Sequence, residues 1–238
     1  MSSVSMDSSI VVVTASRLSG DDSLKSPIVS SLNMIKNIRN FDEYHGGHKI
    51  KFYPITGNSQ GLPYIYNRFI TEVERNSILI FVHDDVYIHD FLLIQNLIMA
   101  LNEFDVIGIA GNTDPDPNAL AWFVNEQRHR DSDHLSGAVR TDGIITFFGP
   151  SPARVHRLDG VFIAAKARSL LDAGVRFDER FDFHYYDLDF SRTASESGLK
   201  LGTWPIAITH ASHGAFYGDS FLKNQALFCK KWGFSPTP

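Results

Sequence analysis

Apolar and polar positions alternate through the first half of the chain in blocks that change period. Ile10-Val-Val-Val13 is a continuous apolar run of strand length. Pro27 suits the first turn of a helix capped by Ser26, with Ile28, Leu32 and Ile35 as its buried stripe. Lys51 to Thr56 reads as a second strand, in which Pro54 marks an end or an edge. After a loop from Gly57 to Gly61, the residues Ile65, Phe69 and Val73 recur every four positions, as on one helix face. Ile78 to Val82 is apolar throughout and reads as a central strand buried on both sides. Asp90 then caps a helix from Phe91 to Phe104, and Val106 to Ala110 is a further short strand. Strands alternating with helices in this way predict a mostly parallel sheet flanked by helices.

The second half is less regular. Asn112 to Arg157 has few helical stripes and one good strand candidate, Ile144 to Phe148. An irregular stretch of that length inside a compact domain is usually functional. Periodicity returns with a strand at Asp159 to Ala165, a short helix stopped by Gly174, and a helix opened by His184 to Arg192. Ile206 to Thr209 is a last short strand, and a terminal helix covers about Phe221 to Trp232. No repeat or linker divides the chain, so residues 1–238 are expected to form one mixed α/β domain, with a Ser-rich, disordered start over residues 1–9.

Composition narrows the function classes. A length of 238 residues, 43% of them hydrophobic and 21% charged, is enough for one large α/β core. A net charge of -5 argues against a broad nucleic-acid-binding surface. The lone Cys229 excludes an internal disulfide and a zinc site built with other thiols. No basic region precedes the first apolar run, and no apolar segment reaches membrane-spanning length, so a cytoplasmic setting is expected.

Three polar clusters follow apolar strands or open helices: His83/Asp84/Asp85, Asp187/Asp189 and His210/His213. Open α/β sheets bind ligands at the carboxyl ends of their strands, so all three could meet at one edge. Carboxylates with imidazole suit a divalent cation such as Mn²⁺ or Mg²⁺, and a carboxylate held off the metal can take a proton. Each also has a plain structural explanation: Asp84 and Asp85 as turn acids, Asp187 as a helix N-cap, His210 as a strand-end histidine. Trp122 either stacks on a sugar or fills a local core, and Arg17 and Arg192 either touch phosphate or are solvated.

In that order, these motifs resemble the family-2-like glycosyltransferases of the GT-A fold, nucleotide-sugar-dependent enzymes of the Asp-x-Asp type. Ile10-Val-Val-Val-Thr-Ala-Ser-Arg17 is similar to the first nucleotide-binding strand and its loop, which implicates Thr14, Ala15, Ser16 and Arg17 in donor binding. Gly61-Leu-Pro-Tyr-Ile-Tyr-Asn-Arg68 is similar to the helix before the metal strand, with Gly61 and Asn67 as its marked residues. Phe81-Val-His-Asp-Asp-Val86 resembles the Asp-x-Asp site, with His83 in place of the first acid, Asp84 near the ribose and Asp85 on the metal. Leu158-Asp-Gly-Val-Phe-Ile163 resembles the strand beside the acceptor, carrying Asp159 and Gly160. Tyr186-Asp-Leu-Asp-Phe190 resembles the Glu-Asp segment, with Tyr186 replacing the Glu, Asp187 as the base and Asp189 competing for that role. The segment from His210 to Gly214 is similar to a late one that supplies a metal ligand, here His210.

The resemblance implies a GT-A-like, Rossmann-like domain with a nucleotide-sugar-binding half at 10–111 and an acceptor-binding, catalytic half at 112–238. It implies an inverting, metal-dependent transferase of hexosyl or deoxyhexosyl type, moving a sugar from a nucleotide-diphosphate sugar to a hydroxyl of a saccharide or glycan. Two alternatives stand beside it. One is a non-catalytic nucleotide-sugar or glycan-binding domain, which the missing Glu allows. The other is a sugar-phosphate nucleotidyltransferase, for which Thr14 to Gly20 is a poor version of the required Gly-rich basic loop.

Overall fold

The computed structural model describes residues 9–37, 48–124, 129–212 and 218–235. The larger sheet contains β1 (Ile10–Ala15), β2 (Ile50–Ile55), β3 (Ile78–Val82), β5 (Val106–Gly108), β9 (Ala153–Val155), β11 (Phe162–Lys166) and β12 (Leu201–Thr203), in the order β2-β1-β3-β11-β5-β12-β9. Five of these strands share one direction, while β11 and β9 run against it. The expected helix-flanked sheet is therefore present, as a mixed one in which the pairings of β11 and β9 are antiparallel, with β2, the strand of Pro54, at its edge. The smaller sheet runs β10 (Arg157–Leu158), β6 (Ala110–Asn112), β7 (Leu135–Thr141), β13 (Ile208–His210) and β4 (Val86–Ile88), and β8 (Ile144–Gly149) pairs with β7.

Helices cover both faces of the larger sheet, which explains why its central strand β3 is apolar at every position and β1 nearly so. Ile10, Val12, Ile80 and Val82 face α2 (Pro27–Lys36) and α4 (Leu93–Glu103) through Leu32, Ile35, Leu97 and Leu101. Val11, Val13, Leu79 and Phe81 face α3 (Leu62–Glu72), α5 (Ala167–Asp172), α6 (Tyr186–Glu196) and α7 (Asp219–Trp232) through Ile65, Tyr66, Leu170, Phe190 and Phe228. Each such aliphatic side chain contributes about 1.5–3 kcal/mol by leaving water. A one-turn helix, α1 (Asp21–Leu24), precedes α2. No described helix is long and apolar enough to cross a membrane.

The second half is more ordered than its apolar pattern implies. The strand expected at Val106 to Ala110 is two strands, β5 and β6, because the chain passes from the larger sheet to the smaller one at Ile109. Residues 112–157 hold β7, β9 and β10 besides the expected β8. Strand β7, Leu-Ser-Gly-Ala-Val-Arg-Thr, is held by backbone pairing and carries a register shift at Gly137, so it shows no clean alternation. Asp142 and Gly143, at φ 49° and 80°, form the two-residue turn of the β7–β8 hairpin, as an Asp-Gly pair can. The last expected strand sits at Ile208–His210 rather than from Ile206, and β12 lies within what reads as a helix-to-strand loop.

Gly137 has φ 101°, and a Cβ there would overlap the carbonyl oxygen of Ile109. We expect Gly137→Ala to lose about 2–4 kcal/mol of stability, from left-handed strain plus displaced backbone. Urea denaturation should show this as a lower midpoint at unchanged slope.

Candidate active site

A cavity of about 700 Å³ opens at the carboxyl ends of β1 and β3, where the two sheets meet. Its size is that of a small-molecule site. Backbone pairing places its polar groups. β13 lies antiparallel to β4 with His210 opposite Val86, and Ala211 N–H donates to the Asp85 carbonyl at 3.0 Å, so His210 stands beside Asp85. β11 lies antiparallel to β3 with Phe162 opposite Val82, and His83 N–H donates to the Val161 carbonyl at 3.2 Å. That register carries Asp159 and Gly160 to the end of β3.

His83, Asp85 and His210 each offer a ligand atom, and these atoms lie within 4.8 Å of one another. His210 Nε2 is 3.4 Å from Asp85 Oδ1, a buried oxygen that makes no hydrogen bond of normal geometry. Burial raises the Asp85 pKa, but the adjacent His210, with Ser212 and His83, outweighs it and brings the carboxyl to about 2. Burial takes the His83 pKa down to about 4, against the pull of Asp85, so its imidazole is neutral at pH 7. Burial also opposes charge on His210, but Asp85 outweighs it and raises the pKa. A lone-paired carboxylate oxygen between two imidazoles is a donor set that fits Mn²⁺ or a similar divalent ion.

The second polar group is Asp187 with Asp159. Asp187 lies in the first turn of α6, where Tyr185 adopts the left-handed region at φ 67°. Asp187 Oδ2 accepts from Gly160 N–H at 3.0 Å, and Oδ1 accepts from Leu188 N–H at 2.9 Å. Burial, and next the negative charge of Asp159, push the Asp187 pKa up to about 7. Asp159 accepts from Val161 N–H at 3.2 Å, and its own pKa is raised by burial. Two carboxylates forced together in this way hold on to a proton near neutrality. Tyr186 donates its hydroxyl to the Gly160 carbonyl at 2.7 Å, and the same oxygen is 3.0 Å from His83 Nε2. Gly160 has to be glycine here: a Cβ would overlap the Tyr186 hydroxyl and come within 2.9 Å of Asp187 Cβ.

Of the residues read as candidates from the sequence, Ala15, His83, Asp84, Asp85, Trp122, Asp159, Gly160, Tyr186, Asp187 and His210 line this one cavity. The others do not. Thr14 is buried inside β1, and Ser16 Oγ accepts from Leu18 N–H at 3.1 Å, while Arg17 is exposed outside the lining. Gly61 is the N-cap of α3 and packs on the Asp182 backbone. Asn67 clamps the Phe177 backbone, donating to its carbonyl at 2.9 Å and accepting from its N–H at 2.9 Å. Asp189 is fully buried against Lys231 Nζ at 2.7 Å and Trp232 Nε1 at 2.9 Å, so it ties α6 to α7 and does not face the reacting space. Arg192 lies 4.1 Å over the Trp232 ring. His213 lies outside the described residues.

The cavity also has walls that the residue pattern did not reveal. Thr146 and Phe148 of β8 face it, with the Phe148 ring 5.1 Å from Trp122. Phe183 stacks on His83 at 5.6 Å. The available signal was the alternation within β8, whose partner β7 was not recognised.

The mixed, helix-flanked sheet is that of the GT-A glycosyltransferases. The model of a family described as "Glycosyltransferase like family" matches residues 31–214, and the chain belongs to that family. Among solved structures, it is similar to S. aureus TarS 1-349 in complex with UDP, with a TM-score of 0.53 and 14% identity, covering 97% of this chain and 67% of that one. It is also similar to GalNAc-T7 with UDP, GalNAc and Mn²⁺, with a TM-score of 0.52 and 11% identity, covering 94% of this chain and 48% of that one. A further S. aureus TarS structure has a TM-score of 0.53 and 16% identity, and this chain spans only 40% of its length. At such identities the likeness is one of fold. No curated protein matches the sequence.

Removing the like charge at position 159 should make Asp187 easier to ionise. In Asp159→Asn, carboxyl carbon NMR should show Asp187 titrating clearly below the value of about 7 set by the native pair. An unchanged titration would mean that burial alone sets it.

Proposed function

We propose that this chain is an inverting glycosyltransferase that moves a sugar from a nucleotide-diphosphate sugar to a hydroxyl of a saccharide or glycan acceptor. The observation that carries this reading is the meeting, in one cavity, of a metal-capable His83/Asp85/His210 group with a carboxylate, Asp187, that ionises near neutrality. The family supports it, and so do UDP and Mn²⁺ in the structures of proteins that share the fold. We assign residues 10–111 mainly to donor binding and 112–238 to the acceptor and catalysis.

Asp85, His210 and His83 would hold Mn²⁺ or Mg²⁺. When bound there, such an ion would supply positive charge toward the diphosphate of the departing nucleotide. Asp187 takes the proton from the acceptor hydroxyl. The freed oxygen forms a bond to the anomeric carbon from the face opposite the nucleotide, the carbon–oxygen bond to the diphosphate breaks, and configuration inverts. Two backbone N–H donors orient the Asp187 carboxylate. The apolar walls of Trp122, Phe148 and Phe183 keep water from competing with the acceptor. Asp84 also lines the cavity, and we assign its carboxylate to a ribose hydroxyl of the donor.

The sign of the pH dependence follows from the raised pKa. Asp187 must be ionised to act, so turnover should rise with pH through about 7 and fall away below it. Asp187→Asn should lower kcat about 10²–10⁴-fold, the usual contribution of a general base, while donor binding persists. Donor binding is read as a melting-temperature increase with a panel of nucleotide-diphosphate sugars and Mn²⁺. That increase should require the metal and vanish in Asp85→Ala. Retained transfer in Asp187→Asn would remove Asp187 as the base; a wild-type chain that binds donor but transfers nothing would be a binding domain.

A further inference from the structure

The two positions at which this chain departs from the glycosyltransferase pattern touch each other. His83 stands where that pattern has an Asp, Tyr186 stands where it has a Glu, and His83 Nε2 lies 3.0 Å from the Tyr186 hydroxyl oxygen. That hydroxyl has one proton, and a carbonyl can only accept. The 2.7 Å contact from Tyr186 to the Gly160 carbonyl therefore uses the proton. Toward His83 the phenol oxygen has only a lone pair to offer, so Nε2 must be the nitrogen that bears hydrogen. In a neutral imidazole the lone pair then sits on Nδ1, the one ring atom left to bind a cation. Metal-binding histidines usually donate their second N–H to an oxygen that fixes ring and tautomer.

We infer that Tyr186 is a positioning residue. Its hydroxyl, pinned by the Gly160 carbonyl, holds His83 in the Nε2–H tautomer and so makes Nδ1 a ligand for the divalent cation shared with Asp85 and His210. This rests on the metal site of the proposed function and adds to it a device that a carboxylate at position 83 would not need. A carboxylate has no tautomer to select. The Gly160 peptide serves both sides of the site at once: its carbonyl accepts from Tyr186, and its N–H donates to the base, Asp187.

The experiment has two arms on the full chain. In the first, long-range ¹H–¹⁵N NMR at pH 7.5 reads the histidine ring nitrogens, and His83→Asp identifies the His83 signals among the ten histidines. The wild type should show His83 as the Nε2–H tautomer, and Tyr186→Phe should shift it toward a mixture. A wild-type Nδ1–H tautomer overturns the inference whatever the metal does. In the second arm, Mn²⁺ affinity is measured from the EPR signal of the free ion for the wild type, Tyr186→Phe, His83→Asp and the double variant, with Asp85→Asn as control. Tyr186→Phe should weaken binding about 10–100-fold, the usual effect of removing such a partner. In the His83→Asp background the same change should cost less than about threefold, because the coupling between the two positions is gone. Equal losses in both backgrounds would reduce Tyr186 to general support and overturn the inference. Unchanged Mn²⁺ affinity in Tyr186→Phe, with loss in Asp85→Asn, overturns it while leaving the metal site standing. No Mn²⁺ binding by the wild type sinks the metal reading itself.

Discussion

Strand Phe162–Lys166 runs antiparallel between Ile78–Val82 and Val106–Gly108, and the site depends on that direction. An all-parallel sheet would bring each strand's carboxyl end to the cavity. Here the reversed strand instead presents its amino end, so the turn carrying Asp159 and Gly160 meets the His83–Asp85 segment head to head. Strand Ile208–His210 does the complementary thing in the smaller sheet, delivering its last residue beside Asp85. Two backbone registers thus fix the spacing of four polar side chains, each flanked by strands whose burial makes slippage costly.

Within one cavity, chemically identical residues have their pKa values moved in opposite directions. Asp85 and Asp187 are both withdrawn from water, which opposes ionisation in each. Asp85 has an imidazole at its carboxyl oxygen and falls to about 2, whereas Asp187 has another carboxylate as its neighbour and rises to about 7. Burial raises both pKa values; at Asp187 it is the main cause and Asp159 adds to it, whereas at Asp85 the neighbouring imidazole overrides it. One acid is left as a permanent anion suited to a cation, the other as a group that exchanges a proton near neutral pH.

Much of the architecture was legible because it is written in apolar periodicity. Strands β1 and β3 and the stripes of α2, α3 and α4 announce themselves by burial. Strands β7 and β12 do not, since backbone pairing and glycines hold them and neither needs an alternating pattern. For the site, motif position singled out Asp85, Asp187 and His210, and all three line one cavity. It failed where a motif residue works for the fold: Asn67 binds backbone, and Asp189 answers the charge of Lys231. Both are polar residues whose partners lie more than 40 positions away, Phe177 for one and Lys231 and Trp232 for the other, which no local spacing reveals.

The imidazole at 83 and the phenol at 186 have an electrostatic consequence beyond their mutual contact. With acids at both positions, the cavity would gather Asp84, Asp85, Asp159 and Asp187 together with two more carboxylates. A further anion next to Asp187 would push its already raised pKa higher still. A phenol and an imidazole add no negative charge there, yet still supply a hydrogen-bond donor and a lone pair. The neutral pair therefore keeps Asp187 within reach of ionisation while leaving the proposed cation site its three candidate ligands. In the proposed reading His83 and Tyr186 together relieve the crowding of acids around a shared cavity, and placing an acid at either position should raise the pKa of Asp187 as well as alter the proposed cation site.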